Sequence, residues 1–495
     1  MVTFLLGLAI LIVGGAIYGR YCERVFGPDD RPTPATTVAD GVDYVEMPLW
    51  KNKLIELLNI AGTGPILGPI QGILFGPIAF ITIPIGCVIA GAVHDYFIGM
   101  ISMRNKGAQI PKMMEKFLGD NPTRVYTIII WILMLLTGVV FVYTPGDLIV
   151  GDILGLDISS NIIWVVYAII LAYYIASTVF PIDQIIGRVY PIFGGVLILS
   201  AIGVFIGVLR DGGASFANLP AGLLFQHPSG QSFIPVFFIT VACGIMSGFH
   251  GSQATLISRT VKSEKEGRGT FYNMMIVEGF IAMVWAAGAM VLFGRGIPLT
   301  TGATEMVGLI SREFMGNIGG LIAIIGVVVL PITSGDTAFR SLRLMVAEQF
   351  NIDQKDPKKR VGLSVLIFIP AIIILAYAKL SPGGFNLLWR YFGFTNQLVA
   401  VFALAMITVY LKNEGKNHLI TLLPGAFYTF IVTAYICHES IGLGLEARIG
   451  GYFGLSPESY AISFTIGILT SILFIVGVPK LAKDRKDAIL RYENI

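Results

Sequence analysis

Charge is scarce in this chain: only 13% of its 495 residues are Asp, Glu, Lys or Arg, against roughly a quarter in a soluble domain. Such a sequence cannot clothe a water-facing surface of that size. With 55% apolar residues and a mean hydropathy of +0.77, a polytopic all-α membrane protein is expected. Cysteine is scarce too. Cys22, Cys87, Cys243 and Cys437 show no CxxC or paired spacing, which argues against a disulfide framework or a zinc site. There is no P-loop and no nucleic-acid motif, so neither ATP-driven pumping by this chain alone nor nucleic-acid binding is expected. No nucleophile–base pair or metal spacing stands out; the chain is not expected to be an enzyme, and no cofactor is implied.

What the chain has instead is apolar length. Spans long enough to cross a bilayer cover 2–19, 54–75, 77–99, 125–145, 162–180, 187–209, 234–257, 271–293, 317–339, 361–380, 391–411, 420–440 and 459–478, about 13 in all. The first has no positive residue before it and Arg20 and Arg24 after it, the reverse of a cleavable signal, so an uncleaved helix is expected. Of the 34 Lys and Arg, only Arg210, Arg295, Arg312, Lys379, Arg390 and Arg448 fall outside one alternating set of loops. The positive-inside rule then predicts the N-terminus outside and the C-terminus in the cytoplasm.

Residues 59–72, NIAGTGPILGPIQG, cannot form one continuous helix. Glycines at 62, 64, 68 and 72 weaken it and prolines at 65 and 69 each remove a donor. Unwound backbone survives at membrane depth only inside protein or along a cavity. A second weak stretch lies five spans later, at Gly244-Ile-Met-Ser-Gly-Phe-His-Gly-Ser-Gln253. By itself it also suits a tight helix–helix packing face. Five is odd, however, so two tandem five-span units run in opposite directions, and matched interruptions in inverted repeats mark a transporter's midplane site. The side chains and backbone expected to meet a solute are Gly62, Thr63, Gly64, Ser247, Gly248, Phe249, His250, Gly251, Ser252 and Gln253, with Asn396 and Gln397 as weaker candidates.

A third irregularity is Val329-Leu-Pro-Ile-Thr-Ser-Gly-Asp-Thr337, where Pro331 predicts a kink. Hydroxyls of Thr333, Ser334 and Thr337 suit a hard cation, and the Asp336 carboxylate suits a proton. The alternative is a helix C-terminus with an Asp336–Arg340 pair. His94-Asp95, His250 and Glu278 are ionisable at membrane depth. His94 and Asp95 suit a proton relay as well as a structural network, His250 suits solute contact or proton handling, and Glu278 a helix–helix bond. Arg390 reads as a loop arginine that could also attract an anion. Pro48–Asn59 reads as an interfacial lead-in to the first break.

These stretches resemble the carbon starvation protein A (CstA) family: Asp40-Gly-Val-Asp-Tyr-Val45, IAGTGPILGP at 60–69, Ala90-Gly-Ala-Val-His-Asp-Tyr96 with Ser102-Met-Arg104, FITVACGIMSGFH at 238–250, the Glu278 helix, and Phe392-Gly-Phe-Thr-Asn-Gln397. The resemblance implies a bacterial or archaeal cytoplasmic-membrane protein with a LeuT-like 5+5 inverted repeat whose core helices 1 and 6 are unwound. One extra helix in 1–53 would precede repeats at 54–209 and 234–411, and two helices in 420–495 would follow. It further implies a Na⁺ site at Ala61, Thr333, Ser334 and Thr337, and uptake of a short peptide or a pyruvate-like monocarboxylate by H⁺ or Na⁺ symport. An amino-acid/cation symporter, or a nutrient-sensing receptor without transport, are the rival readings. Membrane lipid, a small solute and a coupling ion are the expected partners; oligomeric state is not legible.

Overall fold

In hydrocarbon every main-chain N–H and C=O must find a partner within the chain, which leaves an apolar sequence of this kind only helices or a closed barrel. The computed structural model describes residues 1–39, 41, 43–179, 182–217, 222–354 and 356–493, and these are helical almost throughout, with no strand among them. Asp40 and Val42 of the first family motif lie outside the described residues. The helices are α1 (Val2–Phe26), α2 (Leu49–Ile60), α3 (Gly64–Phe75), α4 (Ala79–Arg104), α5 (Ile110–Leu118), α6 (Asp120–Ile153), α7 (Ile162–Val179) and α8 (Ile182–Ala217). After the midpoint come α9 (233–245, in short pieces), α10 (Gly248–Ile257), α11 (Glu264–Gly294), α12 (Ala303–Gln349), α13 (Pro357–Leu380), α14 (Gly384–Asn413), α15 (Leu419–His438) and α16 (Ala461–Glu493). Among the described residues nine helices are long and apolar enough to cross a membrane, and the pair α2–α3, bent by 50°, makes a tenth. The shorter apolar helices 162–177 and 194–210 and the broken segment 233–257 fill the remaining expected spans.

The two halves share more than their breaks. Between the second and third spans of the first unit lies the short helix α5, whose apolar face is buried while Lys112 points to solvent; Gly119 (φ 87°) then turns the chain into α6. At the matching place in the second unit, residues 303–315 run into Gly316 (φ 68°) before the long part of α12. Both turns need a left-handed backbone that glycine adopts without steric cost. α14 and α11 are the most enclosed spans, with 83% and 78% of their apolar windows buried, whereas α16 has 22% and faces outward.

Three expectations change here. Pro331 does not kink its helix: Gly316 is the residue with non-helical dihedrals in α12, and the helix continues to Gln349. Asp336 and Arg340 therefore sit mid-helix and buried, not at a C-terminal end. Pro48–Asn59 keeps an exposed first turn, with Trp50 at 60%, but is more than a lead-in, since Asn52, Glu56 and Asn59 are buried on one face of α2. α4 runs on to Arg104, which places Asp95 about 13 Å inside that end at roughly 1.5 Å per residue.

Candidate functional site

The first break is short. α2 ends at Ile60, Ala61 leaves the helical region (ψ 49°), and the helix resumes at Gly64 with Pro65 in its first turn, where a missing N–H costs nothing. The Thr63 carbonyl caps the new helix by accepting from the amides of Ile66 and Leu67 at 3.2 and 2.8 Å. The second break is Met246–Ser247, both extended, with α10 starting at Gly248. Among the described residues the amides of Thr63, Gly64, Ser247 and Gly248 donate to no acceptor. Two half-helices thus begin inside the protein with donors to spare, a ready site for a carboxylate.

Part of the second terminus is already occupied. Asn396 Oδ1 accepts from Ser247 Oγ at 3.0 Å and from the Phe249 amide at 2.8 Å, and the His250 amide donates to Ser247 O at 3.2 Å. Gln397 Nε2 donates to the Met246 carbonyl at 2.9 Å. Among the described residues, only the amides of Ser247 and Gly248, at the start of α10, are left without an acceptor there. Asn396 and Gln397, weaker candidates in sequence, are the residues that hold the break open. Gly251 and Ser252 lie within α10; Ser252 Oγ bonds the Phe249 carbonyl at 2.7 Å and receives Gln253 Nε2 at 2.8 Å.

The half-helices α3 and α9, on one side of the breaks, are packed shut. A Cβ at Gly64 would stand 2.2 Å from Cys243 Cβ, so α3 and α9 touch backbone to side chain with no slack. Beside them is a narrow crevice of about 160 Å³, bounded by Gly64, Thr240, Cys243, Trp389, Phe392 and Gly393, with no room for a water. Around the first break, Asn59 Oδ1 and Thr63 Oγ1 are buried acceptors with no hydrogen-bond partner.

On the other side of the breaks lies a cluster of ionisable groups. Glu56, His94, Asp95, His250 and Glu278 come from α2, α4, α10 and α11, and all are 0% exposed. Asp95 bridges two imidazoles: its Oδ1 is 2.8 Å from His94 Nδ1 and its Oδ2 is 3.1 Å from His250 Nδ1. His250 Nε2 is 3.5 Å from Glu278 Oε1. Glu56 and Glu278 have no hydrogen bond to either carboxyl oxygen, yet each lies close enough to feel its carboxylate neighbours. Three carboxyls and two imidazoles shut away from water cannot all be charged. The charge of the cluster is therefore set by how many protons it holds.

Sequence reasoning missed Glu56. Its signal was the spacing Asn52, Glu56, Asn59, Thr63, a polar stripe along one helical face in an otherwise apolar span.

The hydroxyls of α12 divide by direction. Ser334 Oγ donates to Leu58 O of α2 at 2.8 Å, one turn before the break. Thr333 and Thr337 donate to carbonyls of their own helix, Leu330 O at 2.8 Å and Ser334 O at 3.0 Å. Asp336 faces α7, accepting from Tyr173 at 2.8 Å and Ser177 at 2.9 Å. Among the described residues no set of three or more His, Cys, Asp or Glu could hold a metal ion. Arg390 is engaged by Tyr435 and Glu439.

The arrangement of helices is that of the LeuT-like class. Two solved structures share it: a manganese transporter from Eremococcus coleocola (TM-score 0.51, 14% identity, 92% of this chain and 99% of that one) and MhsT in complex with L-phenylalanine (0.56, 14%, 87% and 99%). Sequence narrows the class. The model of the carbon starvation protein CstA family matches residues 1–202, 156–296 and 289–435, and the chain belongs to that family. A membrane protein of Haemophilus influenzae is 41% identical over 58% of this chain and 89% of its own length. The peptide transporter CstA of Bacillus subtilis is 23% identical across 98% of both chains, and that of Escherichia coli 23% identical over 85% of this chain and 78% of its own.

Proposed function

We propose that this protein is a secondary active transporter in the cytoplasmic membrane that imports short peptides together with protons. The observation that carries the reading is the pairing of two opposed helix breaks with a sealed cluster of five titratable groups directly behind them. The spare amides at Thr63–Gly64 and Ser247–Gly248 would take the peptide's carboxylate. The unpartnered acceptors Asn59 Oδ1 and Thr63 Oγ1 suit an ammonium, and a molecule carrying both ends is a peptide or an amino acid rather than a monocarboxylate; of the two the peptide is proposed. The names of the B. subtilis and E. coli relatives agree with that choice.

Protons are proposed as the driving ion because the Asp95–His250–Glu278 cluster changes charge only by gaining or losing protons; the α12 hydroxyls donate to main-chain carbonyls and keep oxygen lone pairs that Na⁺ would use in the rival reading. Binding a proton there would permit the inner half-helices α2 and α10 to separate. In proteoliposomes, an inward proton gradient should drive accumulation of a labelled dipeptide above equilibrium. Accumulation driven by a Na⁺ gradient at clamped pH would remove the proton assignment, accumulation of pyruvate but not dipeptide would remove the peptide one, and saturable binding without accumulation would favour a receptor.

A further inference from the structure

Along the polar stripe of α2, the residue far from the break and those near it fare differently. Asn52 is fully used: its amide nitrogen donates to Met47 O at 3.3 Å and to Thr260 O at 3.2 Å, and its oxygen accepts from Thr260 Oγ1 at 2.8 Å. One turn on, Glu56 is 0% exposed, and among the described residues neither of its carboxyl oxygens has a hydrogen bond. Asn59 Oδ1 and Thr63 Oγ1 are buried without a partner in the same way. Polar groups that merely hold helices together at membrane depth are paired, as Asn52 is. The orphans begin where the helix approaches its break.

Glu56 also lacks a counter-charge. Asp95 acts on it through space, and Glu278 feels both carboxylates. Against these three carboxyls the cluster offers only the imidazoles of His94 and His250, and both turn their Nδ1 onto Asp95. Among the described residues no Lys, Arg or His pairs with Glu56. A buried carboxyl without a hydrogen bond is tolerated only with a proton on it or a cation against it.

The local geometry suits a small cation. Glu56 and Asn59 stand three residues apart within α2, which sets their Cβ atoms roughly 5–6 Å apart on one face. One cation fits between two side chains at that spacing. α2 ends at Ile60, so the negative end of its dipole lies at the same place. An ammonium brings three donors and a full charge, and Glu56, Asn59 and Thr63 offer three acceptors and a full counter-charge. The spare amides of Thr63 and Gly64 lie on the α3 side of the break and Glu56 on the α2 side, so a zwitterion is oriented by its own charges.

We infer that Glu56 is the counter-ion of the solute's ammonium group, which it holds together with Asn59 and Thr63, and that it restricts the solutes taken to those with a free amino terminus. The inference rests on the proposed transport function and adds to it a specificity-determining residue. It also gives the two carboxyls without hydrogen bonds separate tasks, Glu56 towards solute and Glu278 towards His250.

The test is equilibrium binding to the full-length protein in nanodiscs at clamped pH, with L-alanyl-L-alanine and N-acetyl-L-alanyl-L-alanine as probes. The wild type should bind the free dipeptide about tenfold more tightly than the acetylated one. Glu56→Gln keeps the size of the side chain and removes its charge. It should weaken the free dipeptide about tenfold, leave the acetylated one unchanged, and bring the ratio near one. Equal affinity of the wild type for both probes overturns the inference, and so does an unchanged ratio in a variant that retains its Tm. If that variant keeps the ratio but loses proton-driven accumulation, Glu56 carries a proton only, and the transport function stands without the counter-ion. Displacement of the free dipeptide by Na⁺ in the wild type but not in the variant overturns the inference too, because the three acceptors would then form an ion site. A wild type that binds neither probe removes the peptide reading itself and the inference with it. Should Glu56→Gln fail to fold, Glu56→Asp, which draws the charge back by one methylene, should weaken the free dipeptide more than the acetylated one; equal weakening overturns the inference.

Discussion

Asn396 lies beside the proposed carboxylate site, satisfying the Phe249 amide and the Ser247 hydroxyl with one oxygen. An unliganded helix N-terminus buried in protein would otherwise leave donors without acceptors. Under the proposed function this side chain must share the second helix start with solute or move aside for it. Asn396→Asp puts an ionisable carboxyl there, and at a pH where it is ionised the uptake KM for a dipeptide should rise about tenfold, equivalent to ~1.4 kcal/mol. The wild type should also prefer a dipeptide over its C-terminal amide, and the variant should not; an unaltered preference would show that the carboxylate binds elsewhere. Asp95 acts differently, since it touches both imidazoles of the titratable cluster. Asp95→Asn and Glu278→Gln should each abolish gradient-driven accumulation, while exchange of labelled for unlabelled dipeptide at equal pH continues. Loss of exchange together with accumulation, in protein that retains its Tm, would place these residues in solute binding instead.

The broken helices show which features sequence carries and which it hides. Proline and glycine mark interrupted helices at any depth, so both breaks were legible from Gly62–Pro65 and Gly244–Gly251. Their extent was not: Pro65 and Pro69 sit inside α3, because a first-turn proline needs no donor and packing against α9 supports the rest. Pro331 misled because α12 keeps helical dihedrals through it, with Tyr174 bonding the Pro331 carbonyl at 2.9 Å. Glu56 stayed hidden because its meaning depends on α4 and α11, which lie far off in the chain. The contact of α3 with α9 is equally long-range, and it has a sharp consequence. Gly64→Ala forces a methyl group into Cys243, so α3 and α9 must part. This variant should lose most of its uptake, and the buried Cys243 should react with maleimide faster than in the wild type. Normal uptake with an inert Cys243 would mean that the outer contact is not kept during transport.

For the whole molecule, the question is which helices move together, and the additional N-terminal helix bears on it. α1 is joined to the side of the core that carries the breaks: it packs against α4 and α11. The segment that follows it is bonded to the chain linking α10 and α11, through Thr33 Oγ1 to Val261 O at 2.6 Å and the Met47 amide to Thr260 O at 3.1 Å. Asn52 at the start of α2 reaches the same place, with Thr260 Oγ1 donating to its side-chain oxygen at 2.8 Å. These bonds are buried or nearly so, and breaking them in a transport cycle would leave main-chain groups unsatisfied. The cheaper motion carries α1, the broken helices, α4 and α11 as one body against α6, α7, α12 and α13, a pair of groups in which α6 packs closely along α12. Spin labels on the exposed positions Ile17 of α1 and Ile132 of α6 should therefore change separation when dipeptide and protons are added. A label pair joining Ile17 to Ile89 of α4 should keep its separation, since both sit on the same body. The reverse pattern, a fixed Ile17–Ile132 distance with a changing Ile17–Ile89 distance, would assign α1 to the static body. The Thr33 and Met47 bonds would then have to act as a tether across the moving boundary instead of a strap within one half.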